Sequence, residues 1–193
     1  DKHVYVLGIQ FHVSTDGGKT FKNGGSRVHP DHHALWVNPR DGRHLILGCD
    51  GGLYITHDRG GTWDFHNVMD IGQFYDVGVD TRAPYWVYGG LQDNGVWKGA
   101  HNAGESAGWH QSGRYPWEML LGGDGMQVEV DSRNSDIVYT GFQFGNYFRL
   151  DLGADKRTYI QPKHELGESP YRFNWQTPIL LSPHNQDILY LGG

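Results

Sequence analysis

Residues able to do chemistry recur at one place in this sequence. Asp31, Gln73, Asp124 and Trp175 each stand six positions before an apolar anchor, namely Val37, Val79, Val130 and Leu181. Further on in three of these stretches come Asp50, the pair Asp93-Asn94, and Gln143, while His32 and His33 adjoin Asp31. Asp31 and Asp124 have the chemistry of a general acid and base acting on a glycoside, with Trp175, Tyr75 and Phe74 able to stack on sugar rings. The same carboxylate and amide oxygens would suit Ca²⁺. A third role needs no ligand, because Asp-Gly and Asn-Gly are good turn formers in their own right.

Whether these residues meet depends on the elements that carry them, and those elements repeat. Val37–Gly48, Val79–Gly90, Val130–Gly141 and Leu181–Gly192 all run strand end, turn, strand, glycine. The opening Val4–Gly8 matches the second half of that unit. The closing glycines step by 40, 42, 51 and 51 residues, and the anchors step in register with them by 42, 51 and 51. The best-formed unit offers four short strands, a to d: Ala34–Val37, His44–Leu47, Leu53–Thr56 and Thr62–His66. Turn residues separate them. Four strands per repeat of this length is the signature of a β-propeller blade.

The expected architecture is therefore all-β, with four-stranded antiparallel blades. Residues 31–67, 72–112 and 122–161 supply three whole blades. Residues 1–22 supply strands b to d of another, and 174–193 supply strands a and b. The remainder of the ring is expected to lie outside this segment. In a blade, strand a begins and strands b and c join at the same end. The polar positions should then gather at one mouth of the central channel, where loops on a rigid scaffold carry function.

Composition agrees with this plan. Glycine fills 29 of 193 positions, aromatics make up 13% and the hydrophobic share is only 37%. That mixture suits short strands with many turns. The glycines have no period of three, which excludes collagen. The net charge is −6 with no Lys/Arg cluster, which argues against nucleic acid as a partner. No apolar run is long enough to span a membrane. The one cysteine, Cys49, excludes a disulfide framework, and the following Asp50 disfavours a reactive thiolate.

A tighter motif occupies two of the c–d turns. Ser14, Asp16, Gly18, Thr20 and Phe21 in one copy match Thr56, Asp58, Gly60, Thr62 and Trp63 in the other, as Ser/Thr-x-Asp-x-Gly-x-Thr-aromatic. The carboxylate can accept backbone N–H groups, and glycine permits positive φ. The Thr and the aromatic are expected to begin strand d and pack between blades. This motif resembles the Asp-box, or BNR repeat, of sialidases, sortilin-type receptors, xyloglucanases and photosystem assembly factors. With His29–Val37, Asp50–Tyr54, Tyr88–Gly95 and Gly122–Gly125, the chain looks like the bacterial glycosyl-hydrolase-like, sortilin N-terminal type of Asp-box propeller. The resemblance implies the fold, a structural role for Asp16 and Asp58, and an extracytoplasmic location.

Other chemistries find no support in the sequence. His29, His32 and His33 lack the spacing of a transition-metal site. No nucleophile elbow or Walker phosphate loop is present. Arg27, Arg114, Arg149 and Arg172 share no blade position, which argues against a sialidase. No metal or other cofactor is expected, with Ca²⁺ the ion that the rim oxygens would suit. The expected function is recognition of a protein, peptide or glycan at the channel mouth through Asp31, His32, His33, Asp50, Gln73, Asp93, Asn94, Asp124 and Trp175. The alternative is a glycoside hydrolase with Asp31 and Asp124 as its catalytic candidates. Long insertions at 99–118 and 153–173 bring further Arg and aromatic residues suited to recognition.

Overall fold

The computed structural model describes residues 2–66, 69, 71–104, 106–112 and 115–193. Arg114 and the expected blade limit at residue 67 lie outside the described residues. The chain divides into two compact units, Asp1–Ile71 and Gly72–Gly193.

In the first unit, β1 (Val4–Val6), β2 (His12–Ser14) and β3 (Lys22–Asn23) form a three-stranded sheet. β4 (His32–Val37), β5 (Leu45–Cys49), β6 (Gly52–Thr56) and β7 (Asp64–His66) form a four-stranded one. The second unit holds β8 (Phe74–Val79), β9 (Trp86–Leu91), β10 (Gly95–Ala100), the helix α1 (Ala107–Ser112) and β11 (Trp117–Leu121). It continues with β12 (Val128–Val130), β13 (Ile137–Phe142), β14 (Asn146–Asp151) and β15 (Lys156–Tyr159), and ends with the pair β16 (Ile179–Leu181) and β17 (Leu189–Leu191). Every sheet is an antiparallel meander in chain order, so the protein is built of β-propeller blades.

One strand lies elsewhere than expected. The outer strand of the third sheet is β11, beyond the limit of 112 read from the sequence. Residues 101–116, with α1, separate it from β10. Its register on β10 shifts between Val96 and Trp97. Leu120 and Leu121 are buried against Tyr88 and Val96, so packing holds the strand in place. The segment carries no Asp-box turn to announce it.

Apolar residues on both faces of the strands let neighbouring sheets pack on each other. Phe11, fully buried, centres the first unit. It stacks on Tyr5 at 5.8 Å, and His32 and Trp63 meet it edge-on at 5.8 Å each. Val13, Leu47 and Tyr54 complete this core. In the second unit Tyr88, Val96, Leu120 and Leu121 pack on Val128, Val138 and Leu150 of the next sheet. Met126, Tyr147 and Ile179 join that sheet to β16 and β17.

The turn between strands a and b is built alike four times. The N–H groups of Asn38, Asp80, Asp131 and Ser182 donate to the carbonyls of His44, Trp86, Ile137 and Ile188 at 2.9–3.1 Å. Their side-chain oxygens accept the N–H two residues on, from Arg40, Arg82, Arg133 and His184. Arg82 then reaches Asp136 at 3.7 Å and Arg133 reaches Asp187 at 2.9 Å, each linking one sheet's turn to the next.

The glycines near the end of strand b serve close packing unequally. A Cβ at Gly90 would lie 2.0 Å from the Met126 carbonyl oxygen, whereas at Gly48 the nearest atom is Ala34 Cβ at 3.7 Å. Gly90→Ala should therefore cost about 3 kcal/mol of stability by overpacking against backbone. Gly48→Ala should change stability by less than about 1 kcal/mol. Urea unfolding of both variants checks this, and equal midpoints would contradict it.

Candidate functional site

In each unit the entries to strand a and the b–c turns come together at one end. In the first unit the Asp31 backbone is left-handed, at φ 61°. Its N–H donates to the Ile9 carbonyl at 3.1 Å, and its own carbonyl accepts from the Asp50 N–H at 3.3 Å. His33 Nε2 lies 2.6 Å from Asp50 Oδ1, with the His33 side chain largely exposed. His32 is different. It is only 6% exposed and lies against Phe11, where burial pushes its pKa below the usual imidazole value. Its backbone N–H donates to the Gly8 carbonyl at 2.9 Å. The alternation of β4 thus points His32 into the core and His33 toward solvent.

The second unit brings Gln73, Asp93, Asn94, Asp124, Gln143 and Trp175 into two linked hydrogen-bond networks. Asp124 is 7% exposed, and both its oxygens are engaged. The Asp93 N–H donates to Oδ1 at 2.9 Å, and Gln143 Nε2 donates to Oδ2 at 2.7 Å. A residue at the entry to one sheet's inner strand therefore ties together the b–c turns of two sheets. Around it, the Gly95 N–H donates to the Gly123 carbonyl and the Gly125 N–H to the Leu91 carbonyl, both at 2.9 Å.

The other network runs outward through side chains. Trp175 Nε1 donates to Tyr75 Oη at 2.9 Å, and Tyr75 Oη donates to Gln92 Oε1 at 3.1 Å. Gln73 Nε2 donates to the same Oε1 at 3.0 Å. Asn94 stays at the surface, its Nδ2 donating to the Gln92 carbonyl at 3.0 Å. Trp175 remains 44% exposed, and Phe144 beside it 50%.

Phe144 and Gln92 are the rim residues that motif reading passed over. The signal was present in the alignment of turns. Gln92-Asp93 after β9 occupies the place of Gln143-Phe144 after β13, with Asp93 at φ 61° and Phe144 at φ 63°. Aspartate tolerates that region, but phenylalanine rarely enters it. Among the described residues no group of three or more His, Cys, Asp or Glu is placed to hold a metal ion. Cys49 is half-buried, and burial raises its thiol pKa.

The two c–d turns of the first unit share one bonding scheme. Ser14 Oγ donates to Asp16 Oδ1 at 2.7 Å and accepts the Gly18 N–H at 2.9 Å. Asp16 Oδ1 accepts the Thr20 N–H, and Oδ2 accepts the Thr20 hydroxyl. Thr56, Asp58, Gly60 and Thr62 repeat these bonds. Trp63 packs on Phe11 and donates its indole N–H to the Gly24 carbonyl at 3.2 Å, as a residue between blades should. Phe21, expected to do the same, stays 46% exposed. The threonine and aromatic positions also precede β3 and β7 rather than begin them. The aspartate already holds the threonine N–H, which cannot then join the ladder.

The class defined by these sheets is that of the β-propeller blade. The sequence matches no protein-family model and no curated protein sequence. Among solved structures it is similar to an ancestral GH74 enzyme, at 16% identity and a TM-score of 0.33, over 82% of this chain and 22% of that one. It is also similar to YCF48 bound to D1 peptide, at 10% and 0.32, over 82% and 64% of the two chains. Apo AztD from Citrobacter koseri follows at 13% and 0.40, over 96% and 46%. The chain thus spans less than two thirds of each of these three proteins, and the blade assignment rests on the sheets themselves.

Hydrogen bonds from Thr20 and Ser14 hold the Asp16 carboxyl at about 2, from an ordinary 3.8. Those from Thr62 and Thr56 hold Asp58 at about 2 likewise. Because the folded values lie below the unfolded ones, the turns contribute stability that is complete above about pH 4 and lost as pH falls toward about 2. Asp16→Asn and Asp58→Asn should lower Tm at neutral pH, with the gap to the parent closing across that acid window. A gap that stays constant down to pH 2 would contradict the assignment.

Proposed function

We propose that this chain belongs to an Asp-box β-propeller whose channel-mouth rim recognises a protein or peptide segment and performs no hydrolysis. The carrying observation is the state of Asp124. It is the most enclosed carboxylate of the rim, and both its oxygens are engaged in joining neighbouring sheets. A general acid or base needs an oxygen within reach of the substrate. The side chains left half-exposed around it are instead aromatic rings held in place by hydrogen bonds and by each other, Trp175 and Phe144. Rigid aromatic groups at a polar rim are what recognition surfaces use as anchors. The matched bonding of the two c–d turns supports the Asp-box assignment.

Peptide and glycan arrays probed with the purified protein test this function. Peptides should bind, and Trp175→Ala should weaken them by about tenfold while leaving Tm nearly unchanged. Turnover of a β-glucan, xyloglucan or sialoside that is lost in Asp124→Asn would overturn the reading in favour of a hydrolase.

A further inference from the structure

Beside the Phe144 turn lies a shallow depression lined by Gly122, Gly123, Phe142, Gln143, Phe144 and Asn146. Two features adjoining it, through Phe144 and Gln143 of its lining, call for the same kind of ligand.

The first is an aromatic corner. The Phe144 and Trp175 rings meet at 84° with centroids 5.4 Å apart. Both are fixed from behind. The Phe144 N–H donates to the Trp175 carbonyl at 3.1 Å, and the Trp175 indole N–H is held by Tyr75. Phe144 keeps its left-handed backbone, at φ 63°, while its ring stays half in solvent. Strain of that kind is typical of ligand clamps, because burial of the ring would be the ordinary compensation and is only half realised here. The open faces of aromatic rings attract organic cations.

The second is an electrostatic imbalance beneath the depression. Asp124 is held by neutral donors alone, and among the described residues no cation pairs with it. A carboxylate only accepts hydrogen bonds, so the Gln143 amide must turn its NH₂ toward Asp124. That fixes Gln143 Oε1 on the other side, where it is shielded from water and has no donor among the described residues. Among the described residues, then, no donor reaches this oxygen and no cation pairs with Asp124. A sugar hydroxyl would supply a donor without the charge, and an anion would be repelled. The chain as a whole, at net charge −6, also favours a basic partner.

We propose that this depression is a subsite for the side-chain cation of a lysine or arginine on the recognised polypeptide, held on the Phe144–Trp175 corner and drawn there by the enclosed Asp124 charge beneath, without direct contact to that carboxylate. This rests on the rim being a peptide-recognition surface.

Titration of the protein with acetyl-arginine amide and acetyl-lysine amide, followed by tryptophan fluorescence and NMR, tests it. The neutral isosteres acetyl-citrulline amide and acetyl-norleucine amide serve as controls. At least one cationic probe should bind about tenfold more tightly than its isostere, and salt should weaken it. The better of the two identifies the side chain preferred. Phe144→Gly should lose about the same factor while Tm holds or rises, since glycine relieves the left-handed backbone. Gln143→Met, which removes the acceptor, should also weaken the cationic probes. Equal binding of charged and neutral probes, or full binding by Phe144→Gly, would overturn the subsite. Array peptides that depend on Trp175 but are indifferent to replacing arginine with citrulline and lysine with norleucine would sink this inference and leave rim recognition standing. Binding of no peptide at all would remove both.

Discussion

Everything in this protein depends on satisfying backbone N–H groups inside very tight turns. Each blade reverses the chain three times within a few dozen residues, and buried donors left unpaired would cost more than short strands can recover. One solution recurs: a short polar side chain at or next to the turn accepts what the ladder cannot. Asn38, Asp80, Asp131 and Ser182 do this between strands a and b. Asp16 and Asp58 do it between strands c and d. Asp124 does it across sheets, taking the Asp93 N–H from the neighbouring turn.

That constraint sets what the acidic residues can do. A chain with 22 Asp and Glu looks rich in catalytic carboxylates, yet those at the repeated turn positions are occupied by N–H and hydroxyl donors. Asp80 is a further case: buried, it receives Tyr88 Oη, the Trp86 N–H and Arg82. At the rim of the second unit Asp124 is committed in the same way, while the Trp175 and Phe144 rings stay half-exposed.

Much of this was legible in the sequence because turns speak through residue type. The step from Gly48 to Gly90 to Gly141, the repeated Val-Asn/Asp-x-Arg stretches and the paired Ser/Thr-x-Asp-x-Gly motifs all announce strand ends. The four strands read in the best-formed unit, Ala34–Val37, His44–Leu47, Leu53–Thr56 and Thr62–His66, overlap β4 to β7. The outer strand β11 was not legible, since Trp117–Leu121 follows a long insertion with no Asp-box turn and is held by the burial of Leu120 and Leu121. His32 and His33 were indistinguishable as neighbours. Only the pleat of β4, and the position of Phe11 across from it, sends one inward and leaves the other beside Asp50.

The sequence by itself determined the four-stranded blade and its strand order, because those follow from local hydrogen bonding and a period of two. The tertiary structure alone decided which of those residues remain available. Asp124 is engaged because the turns carrying Asp93 and Gln143 come from different sheets, 31 and 19 residues away along the chain. Trp175 stands over Tyr75 from 100 residues away. Contacts at such separations are set by packing between sheets, which no local pattern encodes.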